Sequence, residues 1–274
     1  MTVTTERTLQ RESRLTYAIS DGWVLTKRNL ITYVRKPDLL VFSTIQPVMF
    51  VLLFVYVFGG AIELALPPTI PYVDFLMPGI IIQTAIFTAT QTGVGLAEDL
   101  KKGLIDRFKS LPMARSAVLA GRTFADSGAI VFQTLLMLIV AFLVGFRFHA
   151  GLPKAALAIV GACAVGYAFT WLAAFAGLWL RSVEAVQAAS FTVIFPFVFA
   201  SSAFVPADTF PHWLRVWSNV NPVSIWVETF RVLTLGDLYP TTRSITTLLL
   251  QSTAWFIGFL VVFVPLSVRR YRRT

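Results

Sequence analysis

Residues 98–122 read EDLKKGLIDRFKSLPMARSAVLAGR and join two long apolar runs of the chain. Glu98 and Asp99 open the stretch, where a helix dipole favours negative charge, and Pro112 stops a helix. Apolar side chains recur at helical spacing and share one face: Leu100, Leu104, Ile105, Phe108 and Leu111. Charged side chains fill the other face: Lys101, Lys102, Asp106, Arg107 and Lys109. The pattern predicts an amphipathic helix over about residues 98–112.

This amphipathic helix has two interpretations. It could lie on anionic lipid, with its apolar face in the headgroup layer. It could instead dock into a soluble partner and pass that partner's motion to the membrane. Gly103 has no side chain and leaves a bare spot where another backbone could approach.

The composition is that of a membrane protein. Hydrophobic residues make up 56% of the chain and charged residues 14%, whereas roughly 25% of an ordinary globular chain is charged. The 24 Phe and 7 Trp suit a lipid-facing surface with interfacial aromatic residues. Cys163 is the single cysteine, and His149 and His212 lack neighbours at ligand spacing, so we expect neither a disulfide nor a metal site.

Six apolar runs are long enough to cross a hydrocarbon core of ~30 Å. They cover residues 39–60, 75–97, 123–146, 155–180, 183–205 and 245–268. A basic amphipathic stretch at residues 15–36 precedes them and predicts an interfacial helix, with a soluble tail as the alternative. The chain therefore divides into a cytoplasmic tail with this helix, residues 1–36, and an all-α membrane domain of six spans, residues 37–274.

The basic residues are distributed unevenly between the two sides of these spans. Of the 23 Lys and Arg, 18 fall on the side that holds both termini and the 98–122 stretch, and five fall on the other side. The positive-inside rule places the first side in the cytoplasm. The net charge of +9 is thus a topology signal rather than a nucleic-acid-binding patch.

The outer connection before the last span, residues 206–236, predicts a helical hairpin. Pro211 opens a helix to about residue 219, and Asn221-Pro222 reads as an N-cap and first helical residue of a second helix to residue 236. The helices would have roughly 9 and 14 residues, too short to span. Trp213, Trp217 and Trp226 suit an interfacial depth, and Glu228 and Arg231 form an i,i+3 pair. The hairpin would be re-entrant or lie on the surface; the alternative is a wet loop.

The chemistry of the spans excludes several classes of protein. The chain has no G-x-x-x-x-G-K-[ST] phosphate loop, so we expect it to bind no nucleoside triphosphate or other cofactor itself. No catalytic set of side chains converges, which argues against an enzyme. Proton- or sodium-driven transporters place ionisable groups near the midplane, and these spans are nearly free of charge.

Neutral polar and aromatic side chains do enter the bilayer. Thr84, Thr88 and Gln91 form a stripe on the second span by their i, i+4, i+7 spacing. The fifth span carries a second stripe of Phe191, Phe195 and Phe199. These residues either make interhelical hydrogen bonds and packing contacts or line a translocation path for a bulky amphipathic cargo.

Two stretches carry a resemblance to a known family. EDLKKGLIDRFKSLPMARSAVLAGR resembles the cytoplasmic segment of type-2 ABC-transporter permeases of the daunorubicin/doxorubicin-resistance branch. The outer stretch FVPADTFPHWLRVWSNVNPVSIWVETFR is similar to the segment before the last span of the same family. The resemblance covers residues 20–270.

The resemblance implies one half of a permease, which pairs with an identical or homologous permease and with two separate ATPase subunits that hold ATP and Mg. It implies a coupling helix over residues 99–111, with Gly103, Leu104, Asp106, Arg107 and Phe108 in the ATPase groove. It also implies that spans two and five line the translocation route.

These inferences converge on a permease subunit in the bacterial cytoplasmic membrane that exports an amphipathic drug or secondary metabolite. The alternative within the class is export of a glycolipid, polysaccharide or other cell-envelope intermediate. Outside the class, the alternatives are a membrane-embedded lipid-modifying enzyme, which the missing catalytic set disfavours, and a scaffold without transport.

Overall fold

The computed structural model describes residues 37–104, 115–241 and 243–273, and the side chains of 44–104, 119–241 and 243–273. The predicted interfacial helix at residues 15–36 lies outside these ranges. So do residues 105–111 of the predicted coupling helix, which include Asp106, Arg107, Phe108 and Leu111. Within the described ranges the chain is helical and contains no strand.

By length and composition, five helical segments of the described chain can cross a membrane. They are Thr44–Glu63, Tyr72–Lys101, Leu119–Val144, Leu152–Leu180 and Ile245–Arg273. Each coincides with a predicted apolar run. The remaining predicted span, residues 183–205, forms a shorter helix.

The first crossing changes its hydrogen-bonding pattern part-way along. The α-helix α1 (Pro37–Leu52) continues into a π-helical segment (Leu53–Phe58) and then into α2 (Gly59–Glu63). No side chain of the π-helical segment is buried. The first crossing therefore presents a broad apolar surface outward, on which Tyr56 is 72% exposed and Val57 70% exposed.

The helix at the centre of the bundle is α3 (Tyr72–Lys101), which contacts α4 (Arg115–Val144) and, most extensively, α5 (Leu152–Leu180). Gly93 and Gly177 bring α3 and α5 together. A Cβ added to Gly93 would collide with the Ala173 carbonyl, and one added to Gly177 would collide with the Gly93 backbone. Small residues of this kind permit the close packing that drives helix association in membranes.

Helix α6 (Val183–Phe199) has 17 residues and ends before the predicted end of its apolar run at residue 205. A crossing takes about 20 residues. A turn at residues 200–203 follows the last residue of α6, and there the Ser201 hydroxyl donates to the Val198 carbonyl and accepts from the Ala203 N–H. Instead of six full-length spans, the described chain has five helices of spanning length and this shorter one.

The outer connection folds into α7 (His212–Val220) and α8 (Pro222–Leu235), with the 9 and 14 residues that the sequence predicts. The Asn221 side chain accepts a hydrogen bond from the Val223 N–H at 2.9 Å, and Pro222 occupies the first turn, as predicted. Every residue of α8 except Glu228 is buried. α8 packs against α3, α5 and α9 (Ile245–Arg273), which excludes a wet loop for this segment.

The two ends of the bundle are named here by their contents. The loop end consists of the last turns of α3 with the residue that follows, residues 95–102, and the first turns of α4 whose side chains are described, residues 119–126. The hairpin end consists of the first turns of α3, residues 72–79, and residues 200–241.

The prediction that a separate helix begins at Glu98 is wrong. Glu98 and Asp99 belong to the last turn of α3, which ends at Lys101. Gly103 adopts a φ of +66°, the left-handed conformation that ends helices and that favours glycine. Both carboxylates therefore lie at the C-terminal end of a helix, where the dipole disfavours them.

Candidate functional site

The acidic side chains at the loop end are compensated by basic partners. The Lys102 ammonium lies 3.2 Å from the Glu98 carboxylate on the exposed surface. Arg122 of α4 reaches Asp99 of α3, with 2.5 Å between Nη1 and Oδ2, and its Nε lies 3.3 Å from Oδ2 of Asp126. These pairs offset the unfavourable position of the carboxylates on α3.

The predicted coupling residues that the structure describes lie where α3 ends. Asp99 is in the Arg122 pair, Gly103 ends the helix, and Leu104 is the last described residue before the gap. No atom of the described residues lies within 4 Å of a Cβ built at Gly103, and the approach of another backbone there stays a prediction. The positive φ of Gly103 is the stronger reason for glycine at this position.

The polar stripe on α3 is present, and its burial decreases toward the loop end. Thr84 is 3% exposed, Thr88 is half-buried and Gln91 is exposed. The Thr84 hydroxyl donates to the Ile80 carbonyl at 2.7 Å, and the Thr88 hydroxyl donates to the Thr84 carbonyl at 2.8 Å. Both hydroxyls therefore donate within α3, and their oxygens keep the capacity to accept a hydrogen bond from another helix or from a cargo.

The predicted aromatic stripe on α6 lies beside this part of α3. Phe191 is 53% exposed and Phe195 is 40% exposed. The rings of Phe87 on α3 and Phe191 have centroids 6.0 Å apart, and Phe195 stacks on Phe199 at 4.0 Å. The structure thus brings the two predicted stripes to one partly exposed face.

Sequence reasoning missed three phenylalanines of the first crossing and the hairpin end that extend this aromatic cluster. The Phe204 ring lies 4.8 Å from both the Phe54 and Phe199 rings, and the Phe50 ring lies 5.9 Å from Phe199. Phe50 and Phe54 are four residues apart, which places them on one helix face. That spacing was the available signal, but it does not say that the face meets α6.

The predicted Glu228–Arg231 pair does not form. The Arg231 guanidinium is fully buried and donates to the Phe75 carbonyl at 2.8 Å and the Ala203 carbonyl at 2.9 Å. It also lies 3.5 Å above the centroid of the Phe75 ring, a cation–π arrangement. Glu228 instead accepts from Thr241 at 2.8 Å and pairs with Arg243 at 3.4 Å.

The tryptophans of the hairpin divide between surface and interior. Trp213 is 71% exposed and Trp217 is 43% exposed, on the surface of α7 after Pro211. Trp226 instead lies in the interior of the bundle, and its interfacial depth stays a prediction. Trp226 is 4% exposed, and its indole N–H donates to the Ser252 carbonyl of α9 at 3.2 Å, the partner that a buried tryptophan needs.

A buried carboxylate at the hairpin end also escaped the sequence analysis. Asp74 accepts from the Arg147 N–H at 3.0 Å and lies 2.9 Å from Nε2 of His149. The His149 N–H donates to the Thr234 carbonyl at the end of α8. These bonds connect the start of α3, the α4–α5 connection and the hairpin.

Comparison with known proteins identifies the family. The model for the ABC-2 type transporter matches residues 21–235. The chain belongs to the ABC-2 type transporter family.

Relatives of this ABC-2 permease include named drug-resistance proteins. It is 31% identical to the daunorubicin resistance ABC transporter permease protein DrrB1 of Streptomyces coeruleorubidus, over 96% of this chain and 89% of the relative. It is 25% identical to the probable doxorubicin resistance ABC transporter permease protein DrrC of Mycobacterium tuberculosis, over 90% and 87%. It is 26% identical to the putative transport permease ycf38 of Cyanophora paradoxa, over 79% and 75%.

Family membership and the apolar helices together establish a multi-pass membrane permease of the ABC-2 class, with a transport role rather than a catalytic one. The resemblance to daunorubicin/doxorubicin-resistance permeases that residues 98–122 and 204–231 carry is thereby confirmed. The family match ends at Leu235, the last residue of α8. The hairpin is thus part of the matched ABC-2 region.

The ABC-2 permease also contains an apolar cavity of about 180 Å³ between α5, α8 and α9. Its lining includes Ile82, Val165, Trp226, Phe230, Leu249 and Phe256. The Thr229 and Ser252 hydroxyls at its wall are bonded to each other at 2.7 Å. Walls of this kind accept hydrocarbon, and they lie away from the partly exposed α3–α6 face.

Proposed function

We propose that this chain is the membrane half of an ATP-driven exporter that moves amphipathic aromatic compounds, such as drugs or secondary metabolites, out of the cell. The observation that carries the proposal is the contact between Phe87, the neighbour of Thr88 on α3, and the exposed Phe191 of α6, because it brings the side of α3 that carries the weakly polar stripe close to the phenylalanines of α6. Aromatic rings bind other rings through stacked or edge-to-face contacts. Hydroxyls and an amide beside them can receive the polar groups of an amphipathic cargo.

The names of the relatives support the cargo class. Two of them are named for resistance to daunorubicin or doxorubicin. Both compounds are planar aromatic ring systems that carry a polar sugar. Phe191, Phe195, Thr88 and Gln91 are the residues that we assign to contact such a cargo, while Thr84 and Phe199 are packed more deeply behind them.

Energy comes from separate ATPase subunits, in two copies that bind ATP and Mg. The segment between α3 and α4 is the coupling element that docks into the ATPase. Nucleotide-driven closure of the ATPases moves this segment, and the attached helices α3 and α4 move with it. A ligand shifts a conformational equilibrium only through its differential affinity for the two states, so the coupling segment must bind the two ATPase states differently.

The exporter contains a second permease chain, identical or homologous. The broad exposed apolar surface of the first crossing and of α6 provides the contact area, with membrane lipid covering the rest. Tyr56, Val57 and Val193 on this surface are at least 63% exposed. The excess of basic residues on one side places both termini and the coupling segment in the cytoplasm of a bacterial cell.

Transport in proteoliposomes tests the proposal. The permease and the ATPase that co-purifies with it are reconstituted, and ATP-dependent movement of doxorubicin is measured. We expect Phe195→Ala to weaken the apparent affinity for doxorubicin about five- to tenfold, since a stacked aromatic contact contributes about 1 kcal/mol beyond its buried area.

Phe132→Ala on α4 is the matched control, because Phe132 is 44% exposed and Phe195 is 40% exposed. We expect the control to transport as the wild type does. If the two substitutions weakened the apparent affinity for doxorubicin equally, the assignment of the cargo site to the α3–α6 face would be wrong. Transport of a lipid-linked saccharide without transport of doxorubicin would favour export of a cell-envelope intermediate instead.

A further inference from the structure

The Arg122 side chain links α3 and α4, the two helices on either side of the segment at residues 105–114. It pairs with Asp99 in the last turn of α3 and with Asp126 one turn along its own helix, α4. The three side chains are 17%, 19% and 5% exposed, in the order Arg122, Asp99 and Asp126. Charges shielded from water in this way interact more strongly than charges on an open surface.

Gly95 provides the space in which this guanidinium lies. A Cβ added to Gly95 would collide with Nη2 and Cζ of Arg122. The Arg122 side chain therefore crosses the surface of α3 at Gly95 before it reaches Asp99, one turn further along the same helix. Even a methyl group at position 95 would displace it.

Gly95 and Asp99 continue the polar stripe of α3. Counted from Thr84, the positions of Thr88, Gln91, Gly95 and Asp99 are i+4, i+7, i+11 and i+15, all on one face of a helix. Most of α3 is buried, since 20 of its 30 residues have little or no contact with solvent. A rigid, buried helix transmits displacement along its axis, so a shift at Asp99 also moves Gln91 and Thr88.

We propose that Arg122 is a positioning residue that makes α3 and α4 respond as one unit when the intervening segment is pushed. The role rests on the proposed function of the chain. With carboxylates on both helices, the guanidinium keeps a partner on α4 even when it releases Asp99. Without Arg122, a push on the segment between them moves one helix alone, and the ATPase cycle no longer reorients the α3–α6 face.

The test uses the complete complex of the permease and its ATPase in proteoliposomes. The quantity measured is the amount of doxorubicin transported per ATP hydrolysed. For Arg122→Gln, Asp99→Asn and Gly95→Ala, we expect this ratio to fall at least about fivefold, the lower end of typical coupling effects. We expect ATP hydrolysis by the complex to continue. This separates a loss of coupling from a loss of the fold or of ATPase docking, either of which would also reduce hydrolysis.

Gly95→Ala separates the role of Arg122 from the effect of charge, because this variant keeps all three ionised groups and only displaces the guanidinium. Gly258→Ala is its control, since no atom of the described residues lies within 4 Å of a Cβ built at Gly258 in α9. This control should transport as much doxorubicin per ATP as the wild type. The Arg122→Gln/Asp99→Asn double variant should be no worse than Arg122→Gln alone, because Arg122→Gln already removes the contact with Asp99.

The outcomes are distinguishable. If the wild type transports doxorubicin with ATP and the assembled Gly95→Ala and Asp99→Asn variants keep its ratio, the role of Arg122 is overturned and the proposed function stands. If Arg122→Gln does not assemble, those two variants decide the question alone. If the wild type shows no ATP-dependent transport, the proposed function and this role are both overturned.

Discussion

The two ends of the bundle each contain a shielded arginine, and the two arginines are held differently. At the loop end, Arg122 pairs with two carboxylates on two helices. At the hairpin end, Arg231 donates to two backbone carbonyls and stacks on Phe75, and no carboxylate of the described residues lies within 4.0 Å of it. A pair of side chains can exchange partners, whereas backbone carbonyls are fixed by the fold. We therefore expect the helices to shift relative to each other at the loop end and to stay fixed at the hairpin end.

The largest effect is expected from Arg231→Lys. A lysine cannot donate to the Phe75 and Ala203 carbonyls in the planar geometry of a guanidinium, and it loses the flat stacking on Phe75. Hydrogen bonds from charged groups contribute about 1.5–3 kcal/mol each, so we expect a loss of about 3 kcal/mol in the free energy of unfolding. Thermal unfolding in detergent measures it.

Arg215→Lys is the control for this substitution. Arg215 is an exposed arginine that also donates to a backbone carbonyl, that of Asp208. An equal loss of stability in the two variants would contradict the view that the hairpin end is held together by Arg231.

The second prediction compares one glycine at each end. A Cβ added to Gly79 would collide with the Ala203 carbonyl, which is backbone and also accepts from Arg231. A Cβ added to Gly95 would collide with the end of the Arg122 side chain, which can rotate away. Overpacking against fixed atoms costs about 1–3 kcal/mol. We therefore expect Gly79→Ala to lower the melting temperature clearly and Gly95→Ala to change it little.

Transport assays complete the comparison of the two glycines. Gly95→Ala should reduce the doxorubicin moved per ATP although the protein stays folded. If Gly95→Ala destabilised the protein as much as Gly79→Ala, the loop end would be as rigid as the hairpin end, and the contrast between them would be lost.

The sequence predicts local features of both ends better than their contacts. The helix start at Asn221-Pro222 was predictable, because the N-cap and the proline act within a single turn. The partners of Arg231 were not. The i,i+3 spacing to Glu228 shows which residues are neighbours on a helix, but Phe75 lies 156 residues away in sequence.

The loop end misled the sequence analysis for a different reason. Leu100 and Leu104 continue one apolar stripe past Gly103, so the periodicity alone suggests an unbroken helix from Glu98. Periodicity does not record the backbone angle, and the positive φ of Gly103 ends α3 there. Likewise, the apolar run extends to residue 205 although the helix ends at Phe199, because Ala203, Phe204 and Val205 keep the mean hydropathy high past the turn.

A smaller effect is expected at the buried carboxylate of the hairpin end. Asp74→Asn keeps the shape of the side chain and one acceptor oxygen, so the bond from the Arg147 N–H can persist while the interaction with His149 weakens. We expect a loss of about 1 kcal/mol, the typical contribution of one hydrogen bond. Thermal unfolding measures it, with Asp208→Asn on the exposed surface as the control. A loss as large as that of Arg231→Lys would mean that Asp74 holds the hairpin end.

The smallest effects are expected at the exposed pair of Glu98 and Lys102, and their signs differ. Surface pairs contribute about 0–1 kcal/mol, and this one lies at the C-terminal end of α3, where the dipole favours cations and disfavours anions. Lys102→Ala removes the pair and the favourable cation, so it should destabilise slightly. Glu98→Gln removes the pair together with the unfavourable anion, so it should be neutral. Thermal unfolding at low salt measures both. The reverse order of effects would show that a helix begins at Glu98, and the loop end would then have to be described anew.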